Sequence, residues 1–435
     1  MPAAIPLELA QPSAASIQAA MAWMLVFGIA LVLSLGVKFW LASRQMSHVA
    51  RHRAAVPAPF AASITAEAHQ KAADYTIAKL RLGLAELSLG TVVLLGWTLF
   101  GGLDLLNRLV IERTGPGMVQ QLVLLAAFAV IGGVIDLPFS IYRTFVLEQR
   151  FGFNRTTPGL WLADLAKATL LGALFGLPIA ALVLWLMGAA GGLWWLWAWG
   201  AWMVLNLVLL VIYPTLIAPI FNKFKPLEDD TLKARATALM QRCGFAAKGF
   251  FVMDGSRRSA HANAYFTGFG AAKRVVFFDT LLARLNPDEV DAVLAHELGH
   301  FKHGHVPKRV LTMAVIALLG FALLGWLSGA PWFYLGLGVA PNMVGPNDAL
   351  ALLLFMLALP AFTFFLTPLS AGMSRRDEFQ ADAFAVAQTG HAALPQALLK
   401  LYEDNAATLT PDPWFVRFYY SHPPAAERLA RMAGH

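Results

Sequence analysis

Cysteine is all but absent. Cys243 is the only one in 435 residues, which excludes an internal disulfide and a Cys-based zinc cluster. Charge is scarce too: Lys, Arg, Asp and Glu make up 14% of the chain, against about 25% in a soluble domain. The first twenty residues hold no Lys or Arg, so they lack the basic start of a signal peptide. No repeat or low-complexity tract stands out. What is abundant is apolar sequence, 58% of residues, with a mean hydropathy of +0.60. A soluble globular enzyme is thereby excluded in favour of a polytopic membrane protein with a modest polar part.

Seven stretches are long and apolar enough to cross a bilayer, which takes about twenty residues. They lie at roughly 20–42, 82–103, 118–138, 168–190, 192–214, 308–330 and 349–372. Pro57 and Pro59 mark a turn in the first loop, followed by a polar helix through about Lys79. The Gly-rich link Gly188 to Gly192 makes the fourth and fifth spans a hairpin. Basic residues alternate between loops. The first loop carries Arg44, Arg51, Arg53, Lys71, Lys79 and Arg81; the third carries Arg143, Arg150, Arg155 and Lys167. The second has only Arg108 and Arg113, offset by Asp104 and Glu112, and the fourth and sixth have none. This bias puts the N-terminus outside and the C-terminus in the cytoplasm. The net charge of +7 is then a topology signal and calls for no nucleic acid.

The long segment 215–307 reads as a small α/β region. Asp229 to Cys243 has a helical pattern. Gly249–Met253, Ala264–Phe269 and Arg274–Phe278 are short apolar runs suited to strands. Asn286-Pro287-Asp288-Glu289 is a helix start, with Asn as N-cap, Pro in the first helical position and Glu in the third. Gly304 and Pro307 end that helix after about seventeen residues.

Within it stands His296-Glu297-Leu298-Gly299-His300. Histidines four apart share one helix face, about one turn apart. Both imidazoles can reach one tetrahedral Zn²⁺, and Glu297 can act as base toward a water at the open position. A catalytic zinc needs a third protein ligand. His303 and His305 are close by, but His303 lies a turn beyond the site and is expected to face water or headgroups. Glu378, in Arg375-Arg376-Asp377-Glu378-Phe379-Gln380-Ala381-Asp382, is the better candidate, on a helix following the seventh span and ending near Gly390. Asp382, one turn on, can accept the free N–H of a zinc-bound imidazole. The alternative for both carboxylates is a solvated helix end. Near the C-terminus, Ser421-His422-Pro423-Pro424 could present His422 to an oxyanion, and Arg428 could hold a carboxylate beside the metal. The alternative here is a plain turn before a helix.

These motifs, with Lys71–Thr76, Thr144–Asn154, Pro219–Phe224, Ser259–Phe266 and Phe278–Leu281, resemble the M48 metallopeptidases along nearly the whole chain, and most closely the Ste24-type CAAX prenyl proteases. The resemblance implies one Zn²⁺ per chain held by His296, His300 and Glu378, with Glu297 as base and Asp382 behind the ligands. It implies His422 and Arg428 near the reacting carbonyl, and a substrate running beside Asn263, Ala264 and Tyr265, paired to that strand's edge. It also implies seven transmembrane helices enclosing a chamber, with a cytoplasmic zincin-like α/β metallopeptidase region at one end. The roles of His261, His303 and His305 stay open.

The expected division is a five-helix membrane domain over 1–215, the α/β region over 216–307, two further spans over 308–372 and a C-terminal metallopeptidase part over 373–435. The substrate expected is a membrane-tethered peptide or a prenylated protein C-terminus at the lipid bilayer, in a bacterial inner membrane or, in a eukaryote, the endoplasmic reticulum. A site-2-type intramembrane protease would hold its motif inside a span, whereas Asp288, Glu289, Asp291, Lys302, Lys308 and Arg309 flank this one. A general membrane-protein quality-control protease is the nearer alternative. A transporter or scaffold with a dead zinc fold, using a carboxylate such as Asp136, is the remote one.

Overall fold

The structure, a computed structural model, describes residues 13–267 and 272–433. Among the described residues, seven helices are long and apolar enough to cross a membrane: Ala14–Arg51, Ala66–Trp97, Met118–Glu148, Pro158–Ala189, Gly191–Phe221, His305–Ser328 and Asp348–Thr389. They extend well past the apolar stretches because their polar ends continue the helix beyond the bilayer. The polar helix expected to stop near Lys79 is in fact one piece with the second span. That span ends at Trp97, not near residue 103, because Thr98 leaves helical geometry and Gly101 turns at φ +73° before a short helix, Gly102–Thr114.

Packing is concentrated at one end. Phe27, Leu31, Leu124, Leu184, Met187, Trp194, Leu324, Leu327, Phe333 and Leu354 form a single buried cluster. Beyond it the third and fourth spans stop burying side chains: none is buried between Leu124 and Leu147 in the third, or between Pro158 and Leu184 in the fourth. A solid bundle would bury a stripe along each helix. These spans are exposed on more than one face, so they surround a hollow closed at the far end by the apolar plug. Asp136 lines a cavity of about 420 Å³ beside the ion-paired Glu86 and Arg143, between the second and third spans.

The other end is closed by the α/β layer. Its sheet contains β1 (Phe224–Pro226), β2 (Ala246–Met253), β3 (Ala264–Thr267) and β4 (Ala272–Phe278), in the order β1-β2-β4-β3. β2 and β4 are parallel; β1 and β3 run antiparallel to their neighbours. The expected strand over 264–269 is β3, with positions 268 and 269 outside the described residues. β1 went unseen because it is three residues long and ends in proline, which only an edge tolerates. Val275 and Phe277 pack with Leu239, Met240, Val290, Leu294, Leu298, Ala385 and Leu398 in the core of this layer. Cys243 is buried there as well.

Helix Pro287–Lys302 begins at a reciprocal capping box. Glu289 N donates to the Asn286 side chain (3.0 Å), and Asn286 N donates to Glu289 Oε2 (2.9 Å). Gly304, at φ +66°, separates it from the sixth span, and Pro307 falls in the first turn of that span rather than stopping the motif helix. The seventh span likewise passes through a single tight turn, Phe364–Leu366, into helix Thr367–Thr389, so the Glu378 helix is its continuation and not a separate element after residue 372.

Candidate metal centre

Helices Pro287–Lys302 and Thr367–Thr389 cross where both are small. Gly299 lies against Ala381, so close that a Cβ added to Gly299 would come within 2.9 Å of Ala381 Cα. That approach brings His296, His300 and Glu378 together, with one ligand atom from each within 4.8 Å of the others. The two Nε2 atoms are 3.3 Å apart. Each lies 3.4 Å from a carboxylate oxygen of Glu378. A tetrahedral cation with bonds of about 2.0–2.1 Å separates its ligands by about 3.3–3.4 Å, so the set fits such an ion. Glu378 Oε2 is buried without a hydrogen-bond donor among the described residues, an arrangement that costs stability unless a cation meets it.

Each ligand is held from behind. Arg428, buried, donates to both oxygens of Asp382 at 2.8 and 2.5 Å. Asp382 Oδ1 lies 2.9 Å from His296 Nδ1, somewhat off the N–H line. Burial opposes charge on the His296 ring, but Asp382 and Glu378 outweigh it and hold the metal-free ring up at about 9. His300 Nδ1 sits 2.9 Å from Nδ1 of the buried His305, whose Nε2 is 2.9 Å from Gln380 Oε1. In this orientation the amide oxygen only accepts. His305 therefore donates through Nε2 and accepts from His300 through Nδ1, which leaves the His300 Nε2 lone pair facing the centre. His303 is exposed and stacks on His305 at 5.6 Å, away from the centre.

A groove of about 310 Å³ opens on two of the ligands, His296 and Glu378. Glu297 lines it, and burial pushes its carboxyl above the ordinary range. His422 stands on the rim with Nε2 3.4 Å from Glu378 Oε1, and the Ser421 hydroxyl is 3.0 Å from its Nδ1. Arg428 reaches the lining but is spent on Asp382, with Glu378 Oε2 at 3.9 Å. Ala262, Asn263 and Ala264 form one wall; Val293, Leu281, Leu394, Leu398, Leu401 and Tyr402 make the floor apolar. Tyr265 is not part of this lining and packs edge-on against Phe278 at 6.2 Å. His261 lies just outside: its ring stacks on Phe153 at 4.4 Å, and Nδ1 meets Asn405 Oδ1 at 3.1 Å. Gln380, Gly299 and Asn405 are site residues that the sequence alone did not single out, and His305, named there as a nearby candidate ligand, instead stands behind His300. The only available signal was the proximity of His305 to the motif and of Gln380 to Glu378.

A motif helix with a base between two imidazoles, a carboxylate from the next helix and a groove with a free strand edge define a metal-dependent peptidase carried on membrane helices. Comparison with known proteins agrees. The chain belongs to peptidase family M48: residues 226–435 match that family, and residues 45–223 match the family described as CAAX prenyl protease N-terminal, five membrane helices. It is 32% identical to the human CAAX prenyl protease 1 homolog, over 94% of this chain and 95% of that protein. It is 38% identical to the Arabidopsis thaliana homolog over 69% of this chain and 70% of that protein. The crystal structure of Ste24p from S. mikatae superposes with a TM-score of 0.88 at 30% identity, covering 94% of this chain and 99% of that one. The protein is thus a multi-pass membrane metallopeptidase.

Proposed function

We propose that the protein is a zinc endopeptidase of the CAAX prenyl protease type, which cuts extended, membrane-tethered peptides and releases the C-terminal tripeptide after a prenylated cysteine. The observation that carries this reading is the groove. The two helices that supply the metal ligands run directly into the sixth and seventh spans, so the groove lies beside the membrane. One wall is the start of the edge strand β3 with its lead-in, Ala262 to Ala264, and the floor beside Glu297 is apolar. An extended peptide can add to that edge while an aliphatic side chain next to the cut bond fills the floor. A lipid-anchored tail reaches such a site at high effective concentration, and the hollow behind it leaves room for what the tail is attached to.

His296, His300 and Glu378 would hold the zinc, which supplies a Lewis-acid contact and a polarised water. Glu297 takes the proton from the attacking water and delivers it to the leaving amine. With Ser421 donating to its Nδ1, His422 presents Nε2–H to the oxygen of the tetrahedral carbonyl. Burial outweighs the pull of Glu378 and holds the His422 ring below its ordinary value. Arg428 fixes Asp382, which orients His296. The alternation of basic loops supports an N-terminus outside and a groove on the cytoplasmic side.

The test compares a farnesylated C-a-a-X peptide with its unlipidated twin on zinc-loaded protein in liposomes. Faster cleavage of the lipidated peptide, after its cysteine, is expected. Equal rates would favour the general membrane-protease reading, and no cleavage of either would refute both.

A further inference from the structure

The free edge of β3 does not run on indefinitely; one side chain closes it. Phe278 N donates to Asn263 O at 3.1 Å. In the two-residue alternation of an antiparallel ladder, the N–H and C=O of Ala262 and Ala264 therefore point away from β4, to the open edge. The Ala264 N–H is covered by its neighbour's own side chain, Asn263 Oδ1 at 2.8 Å, a local bond that an incoming carbonyl can replace. Ala262 is different. Its N–H donates to Asn405 Oδ1 at 3.1 Å, and its carbonyl accepts from Asn405 Nδ2 at 3.4 Å. The amide of Asn405 thus does what the backbone of a strand partner would do.

Asn405 is firmly aimed. It ends helix Ala393–Asp404, and the chain then turns through Ala406 at φ +43°, the only non-glycine residue in the left-handed region among those described. Ala407 N and Ala406 N close that turn on Tyr402 O (2.9 Å) and Glu403 O (3.0 Å), and the buried Ala406 packs among Tyr75, Phe151 and Phe153. The strand's lead-in is fixed from the other side by the membrane half. Arg155 N donates to Arg258 O and Ala260 N to Phe153 O, both at 3.1 Å. Glu148, which accepts the Tyr75 hydroxyl at 2.6 Å, lies 3.6 Å from His261 Nε2.

We propose that Asn405 is a positioning residue for cleavage-site choice: it occupies the edge at Ala262 as an end-stop, so a substrate strand pairs from Ala264 onward in one register over the metal centre. This rests on the edge-pairing reading above. A strand that slips by two residues keeps the same faces and hydrogen-bond parity. Removing the stop therefore allows a frame displaced by two.

The experiment is mass-spectrometric mapping of the products from a farnesylated C-a-a-X peptide, with zinc content measured on each protein. The parent is expected to cut one bond. Asn405→Ala, with zinc retained, is expected to add a product displaced by two residues, its preference for the parent bond falling roughly 3- to 30-fold for the loss of one or two hydrogen bonds. Asn405→Asp, which keeps the acceptor for Ala262 N–H, is expected to lie between, and serves if the alanine variant fails to fold. A merely structural role would lower the rate with the bond unchanged. A single parental product from both variants overturns the proposal while leaving the protease reading intact; a parent that cuts nothing overturns both.

Discussion

Glu297 and His296 are neighbours in sequence with separate duties, and the difference is measurable. Glu297→Gln removes the base but no ligand, so zinc content should hold while turnover falls by roughly 10²-fold or more; near-normal turnover in the loaded variant would end the assignment. His296→Ala, His300→Ala and Glu378→Ala should instead lose zinc, whereas His303→Ala should keep it. His305→Ala leaves all three ligands but frees the His300 ring, and should weaken zinc binding by about 10- to 100-fold in a chelator competition. The metal-free protein carries a pH signature. Its His296 is held at about 9, above the ~6.5 of free histidine. That stabilisation is fully present below about pH 6.5 and is lost as pH rises through about 9. Chelated protein should therefore melt at progressively lower temperature over this window, and a flat profile would contradict a charged His296. The motif, its base and Glu378 could be read from spacing and chemistry. Gln380 could not, and His305 was legible only as a nearby candidate ligand, since its place behind His300 depends on the break in the helix at Gly304, φ +66°.

Between helices, the decisive contact is the one with no side chain. Gly299 sits inside the metal motif, where a helix former would be the ordinary choice. An added methyl would meet Ala381 Cα at 2.9 Å and its carbonyl oxygen at 3.2 Å. Backbone atoms cannot rotate away, so the two helices must part. Gly299→Ala should cost about 1–3 kcal/mol as an overpacked contact and should separate both imidazoles from Glu378. Lower thermal stability together with at least tenfold weaker zinc binding is the expected pair of results; parental zinc affinity would show that the crossing does not set the ligand geometry. The capping box of the motif helix was legible because Asn286 and Glu289 act within one turn. The crossing was not, because it joins Gly299 to Ala381, 82 positions apart, and the three-residue β1 is too short to leave a period.

At the scale of the molecule, the hollow is the feature that hydropathy hides. Seven spans follow from length alone, but cavity-facing and lipid-facing residues are equally apolar. Leu170 and Phe175 of the fourth span are 69% and 42% exposed, although five residues on a helix put them about 140° apart. The direction of insertion is a different matter, since it rests on the alternation of basic loops. Cys243, the native thiol, cannot report it: it is buried beneath the α/β layer, and burial raises its pKa. A Cys243→Ala background removes that ambiguity. Glu112→Cys, exposed on the short helix after the second span, should then react with an impermeant maleimide added to intact cells. Lys233→Cys, exposed on helix Asp230–Arg242, should react only in inverted vesicles. The two positions lie on opposite faces of the membrane, so they must answer oppositely. Labelling of Lys233→Cys from outside, with Glu112→Cys protected, would reverse the orientation and put the groove beyond the reach of any cytoplasmic prenylated tail.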